Sequence, residues 1–304
     1  MPPRTIPKKD KILHSCPTSV TGAKLTVEES ATGLRIIYLD GHEQSEVQVK
    51  KDGSLSMAQP LELVQVMSLV SLAWLHGGTA ADPDAPNVLL IGIGGGSIAR
   101  VLAATMPGSA AKIHSLDLEP EVVAAAVEYF GLPQTERCTA AAGDGAAYMK
   151  AYRRKTPKYD VLLLDAFTSE GLAASTQRQS TLDDAASCLS PNGLLIVNLH
   201  TGKKDDPDDD DYYVARRVLR ALCVRFGAVY TIRCRTTWNL IALAHQGEMK
   251  DLSEWDSRIS SQFDNEIVRQ ACVGFSLPEV MEKFEYVGGK DDPMEEERGD
   301  LKLQ

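Results

Sequence analysis

The run Val88-Leu89-Leu90-Ile91-Gly92-Ile93-Gly94-Gly95-Gly96-Ser97-Ile98-Ala99 constrains the fold more than any other stretch of this chain. An apolar segment long enough for a buried strand ends in a glycine cluster, and a helix-like segment starts at Ser97. Such a tight turn needs glycine where φ is positive or where a ligand lies against bare backbone. The helix that follows aims its unpaired N–H groups at that ligand. The pattern predicts a nucleotide- or nucleoside-binding strand–turn–helix.

The chain around it supports this. From residue 87 onward apolar strands alternate with helical segments: strands at 88–92, 112–117, 138–142, 159–165 and 194–199, helices at 97–105, 120–130, 145–153, about 180–188 and 212–224. That alternation predicts a doubly wound parallel sheet. Two strands, 228–234 and 238–244, then follow with only a few residues between them, so they must pair antiparallel. The expected fold class is therefore α/β, a Rossmann-like sheet of seven strands with the last one antiparallel. Ahead of it, residues 24–29, 34–39 and 45–49 alternate like strands, and Asp40-Gly41 is a strong hairpin signal. A buried helix is expected at 60–75. The expected division is a basic flexible arm (1–23), a β-hairpin and helix unit (24–80), the Rossmann-like domain (81–248), and a C-terminal helical extension with an acidic tail (249–304).

Composition sets limits on partners. A formal charge of −10 argues against nucleic-acid binding as the main business. Six cysteines without C-x-x-C spacing read as reduced thiols, which fits neither a disulfide framework nor a zinc site. No apolar run reaches the roughly 18–20 residues of a membrane span. A cytoplasmic location is expected; the basic N-terminus (Arg4, Lys8, Lys9, Lys11) leaves a mitochondrial one as the alternative. The acidic runs at 205–211 and 290–300 read first as solvated loops, and second as a lip that attracts a basic substrate.

Four positions should converge at the carboxyl edge of the sheet, where open α/β folds bind ligands. The first is the glycine turn, Gly92, Gly94 and Gly96. The second is Asp117, 21 residues beyond Gly96 and at a strand end, placed to accept from ribose hydroxyls or to cap the next helix; Glu119 is a second contact or the cap itself. The third is Gly143-Asp144-Gly145, a helix cap or an adenine contact made by Asp144 and the adjacent backbone of Gly145. The fourth is Asp165, at the end of Val161-Leu162-Leu163-Leu164, facing the reacting end of a ligand. Asn198 and His200 end the next strand and are candidates to align an acceptor; Trp238 and Asn239 could line its entrance. Gly94-x-Gly96-x-x-Ala99 also matches a dinucleotide fingerprint, but a dinucleotide explains neither the Gly-Asp-Gly element nor the closing hairpin.

Leu89 to Gly96, Ser115-Leu116-Asp117-Leu118-Glu119-Pro120, Tyr129-Phe130-Gly131, Gly143-Asp144-Gly145 and Tyr159 to Asp165 resemble the spermidine-synthase-like class I methyltransferases. Gln44-Ser45-Glu46, Asn198-Leu199 and Trp238-Asn239-Leu240-Ile241 are similar to the branch holding the C-terminal half of the elongation factor 1-alpha lysine and N-terminal methyltransferases. The resemblance covers about residues 33–245. It implies S-adenosyl-L-methionine as cofactor, Asp165, Asn198 and His200 as catalytic residues, and a protein substrate, with a homodimer or larger assembly as the state of the chain. Spermidine synthases read Gly-Gly-Gly-Asp-Gly-Gly in the first turn and Asp-Ser-Ser-Asp in the active-site loop. Here Gly95 takes the place of the first acid, and Asp165-Ala166-Phe167-Thr168 lacks the second. Methyl transfer to a protein amine is therefore the leading expectation. A catalytically silent subunit and an aminopropyltransferase are the alternatives.

Overall fold

The structure, a computed structural model, describes residues 10–76, 80–168, 171–202, 210–247, 252–272 and 284–290. The N-terminal region is an antiparallel sheet of β1 (Lys11–Pro17), β2 (Lys24–Glu29), β3 (Leu34–Leu39) and β4 (His42–Gln48), in that spatial order. The β3–β4 turn is Asp40-Gly41, both with positive φ (48° and 79°), the geometry that a two-residue hairpin with native strand twist requires. Residues 11–17, expected within the flexible arm, instead form edge strand β1 on β2. Edge pairing is a backbone interaction, so this mostly exposed strand leaves little trace in the hydropathy. Residues 1–9 of the arm lie outside the described residues.

Helix α1 (Glu62–Trp74) leads into the alternating region: β5 (Asn87–Ile91), α2 (Ser97–Thr105), β6 (Lys112–Asp117), α3 (Pro120–Phe130), β7 (Cys138–Ala142), α4 (Gly145–Tyr152) and β8 (Tyr159–Leu164). A two-residue ladder of β9 (Phe167–Thr168) and β10 (Gly171–Leu172) follows. Then come α5 (Gln179–Cys188), β11 (Leu189–His200), α6 (Asp210–Arg225), β12 (Ala228–Arg233) and β13 (Asn239–His245). The chain continues through α7 (Leu252–Gln262), α8 (Glu266–Ala271) and β14 (Phe284–Gly288).

The main sheet runs β14-β12-β13-β11-β8-β5-β6-β7. β11, β8, β5, β6 and β7 are mutually parallel, and β13 is antiparallel to both β11 and β12. This is the expected seven-stranded arrangement with one strand more. β14 pairs antiparallel with β12 and makes eight, within a stretch expected to be helical. Its five residues, with Glu285 and a terminal Gly288, carry too little apolar alternation to be read as a strand.

The central strands are buried on both faces, and their period of two divides the core. Val88, Leu90, Val161, Leu163, Leu194 and Ile196 face one side with α1, α2, α7 and α8; Leu89, Ile91, Leu162, Leu164, Leu195 and Val197 face the other with α4, α5 and α6. Trp255 of α7 stacks on Trp74 of α1 with ring centroids 5.2 Å apart, tying the C-terminal extension into the first core. The small sheet has its own core. Leu25, Val27, Ile37 and Val47 pack on Val122, Ala125 and Phe130 of α3, which places β4 over the carboxyl end of the main sheet. There β5 lies between β6 and β8, and the connections on its two sides lead away in opposite directions, β5 to β6 to β7 on one side and β8 to β11 on the other. That divergence opens the crevice in which doubly wound sheets bind ligands.

Candidate active site

A cavity of about 850 Å³ lies in this crevice, within the size range of small-molecule sites. Its floor is the carboxyl ends of β5, β6, β8 and β11, and its roof is His42, Glu43, Gln44 and Ser45 of β4. Gly92 turns out of β5 with φ +88°, and a methyl group on it would overlap the Asp165 carbonyl. Glycine is thus what lets the ends of β5 and β8 approach. Gly94 lies under Gln44, so the turn is clamped between the sheet and the roof. At Gly95 a Cβ would stand 2.8 Å from Ser45 Oγ and 2.9 Å from the Phe130 ring, which leaves no room for an acidic side chain.

Asp117 ends β6. Its Oδ2 accepts from Ile93 N–H at 2.9 Å and its Oδ1 from Glu119 N–H at 3.1 Å. The carboxylate, which also takes a backbone hydrogen bond from Gly94, therefore braces the glycine turn, and it keeps accepting capacity for a ligand hydroxyl. Burial pushes its proton affinity up, and the N–H donors only partly offset this. Asp144 realises both readings of its motif. Its Oδ1 caps α4, accepting from Ala146 and Ala147 N–H at 2.8 and 3.2 Å, and the residue also lines the cavity. A methyl on Gly145 would collide with Ile91, so only glycine brings this helix start so close to β5.

Asp165 is a strongly perturbed carboxyl of the cavity. Burial pushes it up to about 7, opposed by a hydrogen bond from Asn198 and assisted by the charge of Asp117. Asn198 Nδ2 donates to Asp165 Oδ1 at 2.8 Å, while Asn198 Oδ1 accepts from Asn239 Nδ2 at 2.9 Å. His200 lines the same wall, with Nδ1 2.7 Å from Asp211 Oδ2.

Gly92, Gly94, Asp117, Asp144, Gly145, Asp165, Asn198 and His200 thus meet around one cavity. Two of the expected ligand residues do not line it. Gly96 is the left-handed start of α2 and backs onto Leu132. Glu119 faces away, its carboxylate accepting from Val20 N–H (3.0 Å), Thr21 N–H (2.8 Å) and Thr21 Oγ1 (2.5 Å). Burial alone would push Glu119 up, but these donors outweigh it and hold the carboxyl below its ordinary value. Glu119 therefore docks the small sheet against α3. An acid two residues past a strand end can face either way, and sequence spacing does not distinguish them.

Asp211, which the sequence places within an acidic run that could form a lip, lines the wall, and Asn239, expected at the entrance, lines the cavity as well although most of its surface is buried. The remaining acids of the 205–211 run up to 209, and those of the C-terminal run beyond 290, lie outside the described residues.

The wall carries a one-signed charge. Glu43, Asp117, Asp144, Asp165 and Asp211 line it, and no lysine or arginine does among the described residues. Burial also raises the proton affinity of Glu43. A cationic ligand fits such a wall and a pyrophosphate does not. Among the described residues no group of three or more His, Cys, Asp or Glu side chains is placed to hold a metal ion. No helix among them is long and apolar enough to cross a membrane.

Comparison with known proteins agrees with this geometry. Residues 69–202, less than half of the chain, match the spermine/spermidine synthase domain family, so this stretch is similar to that domain. It is 26% identical over 205 residues to a polyamine aminopropyltransferase of Chromobacterium violaceum, an alignment spanning 67% of this chain and 72% of that protein. It is 28% identical over 121 residues to the human eEF1A lysine and N-terminal methyltransferase, covering 37% of this chain and only 17% of that one. Among solved structures, a probable spermidine synthase from Corynebacterium glutamicum superposes with a TM-score of 0.67 at 16% identity, covering 97% of this chain and 99% of that one. Human methyltransferase-like protein 13 in complex with SAH superposes at 0.56 with 20% identity, covering 70% and 92%.

Proposed function

From this spermidine synthase-like domain we infer an S-adenosylmethionine-dependent methyltransferase whose acceptor is a protein amine, a lysine or an N-terminus. The observation that carries the reading is Asp165. It lines the cavity at the end of β8, it is held by Asn198, and its proton affinity is tuned to about 7. A carboxylate of that affinity can take a proton from an ammonium near neutral pH and release it again.

The donor set fits a sulfonium nucleoside. Gly92 and Gly94 leave room against the backbone, Asp117 offers lone pairs to ribose hydroxyls, Asp144 and Gly145 stand at the base end, and the acidic wall suits a cation. Bound there, S-adenosylmethionine supplies an already activated methyl group. The chain's own share is then to hold the acceptor nitrogen neutral and in line, for which Asp165 and the adjoining Asn198 and His200 are placed. The human relative's name, an eEF1A lysine and N-terminal methyltransferase, supports a protein acceptor.

A second reading, aminopropyl transfer to a polyamine, is favoured by the acidic wall and by the Chromobacterium violaceum relative. Against it stands the crowding at Gly95, where no acidic side chain fits, together with a loop from Asp165 that lacks the second acid. The test is transfer of tritiated methyl from S-adenosylmethionine into lysate proteins. Protein-bound label with wild type, and its loss with Asp165→Ala, supports the methyltransferase. No label with either protein, despite cofactor binding, returns the chain to a silent subunit or an aminopropyltransferase.

A further inference from the structure

We propose that Asn239 is a positioning residue for Asp165, acting through Asn198 and deciding which carboxylate oxygen receives the acceptor's proton. Asn239 starts β13 and Asn198 stands near the end of β11, two buried amides linked across an antiparallel ladder in which Asn239 faces His200 and Asn198 faces Ile241. An amide has one donor end and one acceptor end. Because Asn239 Nδ2 donates to Asn198 Oδ1, the other end of Asn198, its NH₂, is turned to Asp165 Oδ1.

Oδ1 is therefore committed as an acceptor, and among the described residues no donor meets Oδ2. Resting on the reading that Asp165 serves the acceptor amine, the step is a single proton transfer. An N–H bond of the ammonium breaks, an O–H bond forms on Oδ2, and the electron pair stays on nitrogen. The two amides also have a reversed setting, in which Asn198 Oδ1 faces Asp165. That setting bonds only to a carboxyl already holding a proton on Oδ1, and it is useless as a base. With Asn239 Nδ2 on its Oδ1, Asn198 is held in the productive one.

Other ionisable groups face the same cavity: Asp117 beyond the glycine turn, Asp144 at the start of α4, the His200–Asp211 pair on the β11 side, and His42 and Glu43 from the roof. None of them changes in a neutral substitution at 239, and because Asn239 also lines the cavity, the double variant with Asn198 separates the relay from a change in burial.

The test is the titration of the Asp165 carboxyl by carbon NMR in protein carrying carboxyl-labelled aspartate, the resonance being assigned by its loss in Asp165→Asn. It uses neither donor nor acceptor, so a chain that proves not to be a methyltransferase still answers it. Wild type should titrate near 7. Asn239→Leu should raise the midpoint by about one unit, the scale of a weakened hydrogen bond to a charged group. Asn198→Leu should raise it at least as far. The double variant should go no further than Asn198→Leu, since 239 acts only through 198. If Asn239→Leu does not fold, Asn239→Ala serves in its place. An unchanged midpoint in the folded 239 variant, or two shifts that add in full, overturns the relay.

Discussion

Replacing Asp165 by asparagine should make the protein less sensitive to alkali as well as removing a base. In the unfolded chain this carboxyl titrates near its ordinary value of 3.8, and in the folded protein near 7. Between those values the native state holds a proton that the unfolded state has given up. Stability therefore falls as pH rises through this window, and the loss is complete above 7. Three pH units at about 1.4 kcal/mol each set a ceiling of roughly 4 kcal/mol. The carboxyl borders a cavity that water can enter, so about half of that, ~2 kcal/mol, is the working expectation. An asparagine at 165 has no charge to desolvate and keeps an amide partner for Asn198. Urea unfolding of both proteins at pH 5 and pH 8 reads the effect directly. The span from pH 5 to pH 8 covers about two of those three units, so Asp165→Asn should gain about 1.3 kcal/mol on wild type, and this double difference cancels the parallel contributions of Glu43 and Glu46, which burial also raises. An equal gap between the two proteins at both pH values would refute the perturbed carboxyl, and with it the case for a base at this position.

Three further outcomes follow from contacts described above. Asp117→Ala should abolish calorimetric binding of S-adenosylhomocysteine, since it removes both the proposed ribose acceptor and the brace on Ile93 N–H; unchanged affinity would take Asp117 out of the site. Glu119→Gln should leave that affinity within about twofold and instead loosen the small sheet, seen as faster amide exchange at Val20 and Thr21; a large loss of affinity would restore Glu119 as a ligand contact. Trp255→Ala should cost about 3–5 kcal/mol, the usual range for truncating a buried aromatic, because it unstacks Trp74 and empties the contact between α1 and α7. A loss below about 1 kcal/mol in urea unfolding would show that the C-terminal extension folds apart from the core.

Much of this was legible in the sequence where period and turn chemistry agree. The apolar runs ending at Ile91 and Leu164, the Asp40-Gly41 hairpin and the short link between β12 and β13 each admit few structures, and each appears where expected. What escaped was decided by tertiary pairing. β1 and β14 are edge strands held by their neighbours' backbones, and neither shows much apolar alternation of its own. Glu119 could not be separated from Asp117 by spacing, because its direction depends on where residues 20 and 21 come to rest. The roof was hidden in the same way. Gln44 and Ser45 read as part of a hairpin, and only the packing of that hairpin on α3 carries them over the glycine turn. Asn239 reads from the sequence as a residue of the acceptor entrance, and its bond to Asn198 shows only once its partner on β11 is known.

The most direct test of the proposed chemistry is a donor competition. The protein is given methyl-labelled S-adenosylmethionine and aminopropyl-labelled decarboxylated S-adenosylmethionine together, with lysate protein and free polyamines both present as acceptors. Methyl label in the protein fraction, on lysine or N-terminal nitrogen after hydrolysis, is the result expected. Aminopropyl label in the small-molecule fraction, with none from the methyl donor in protein, would contradict it.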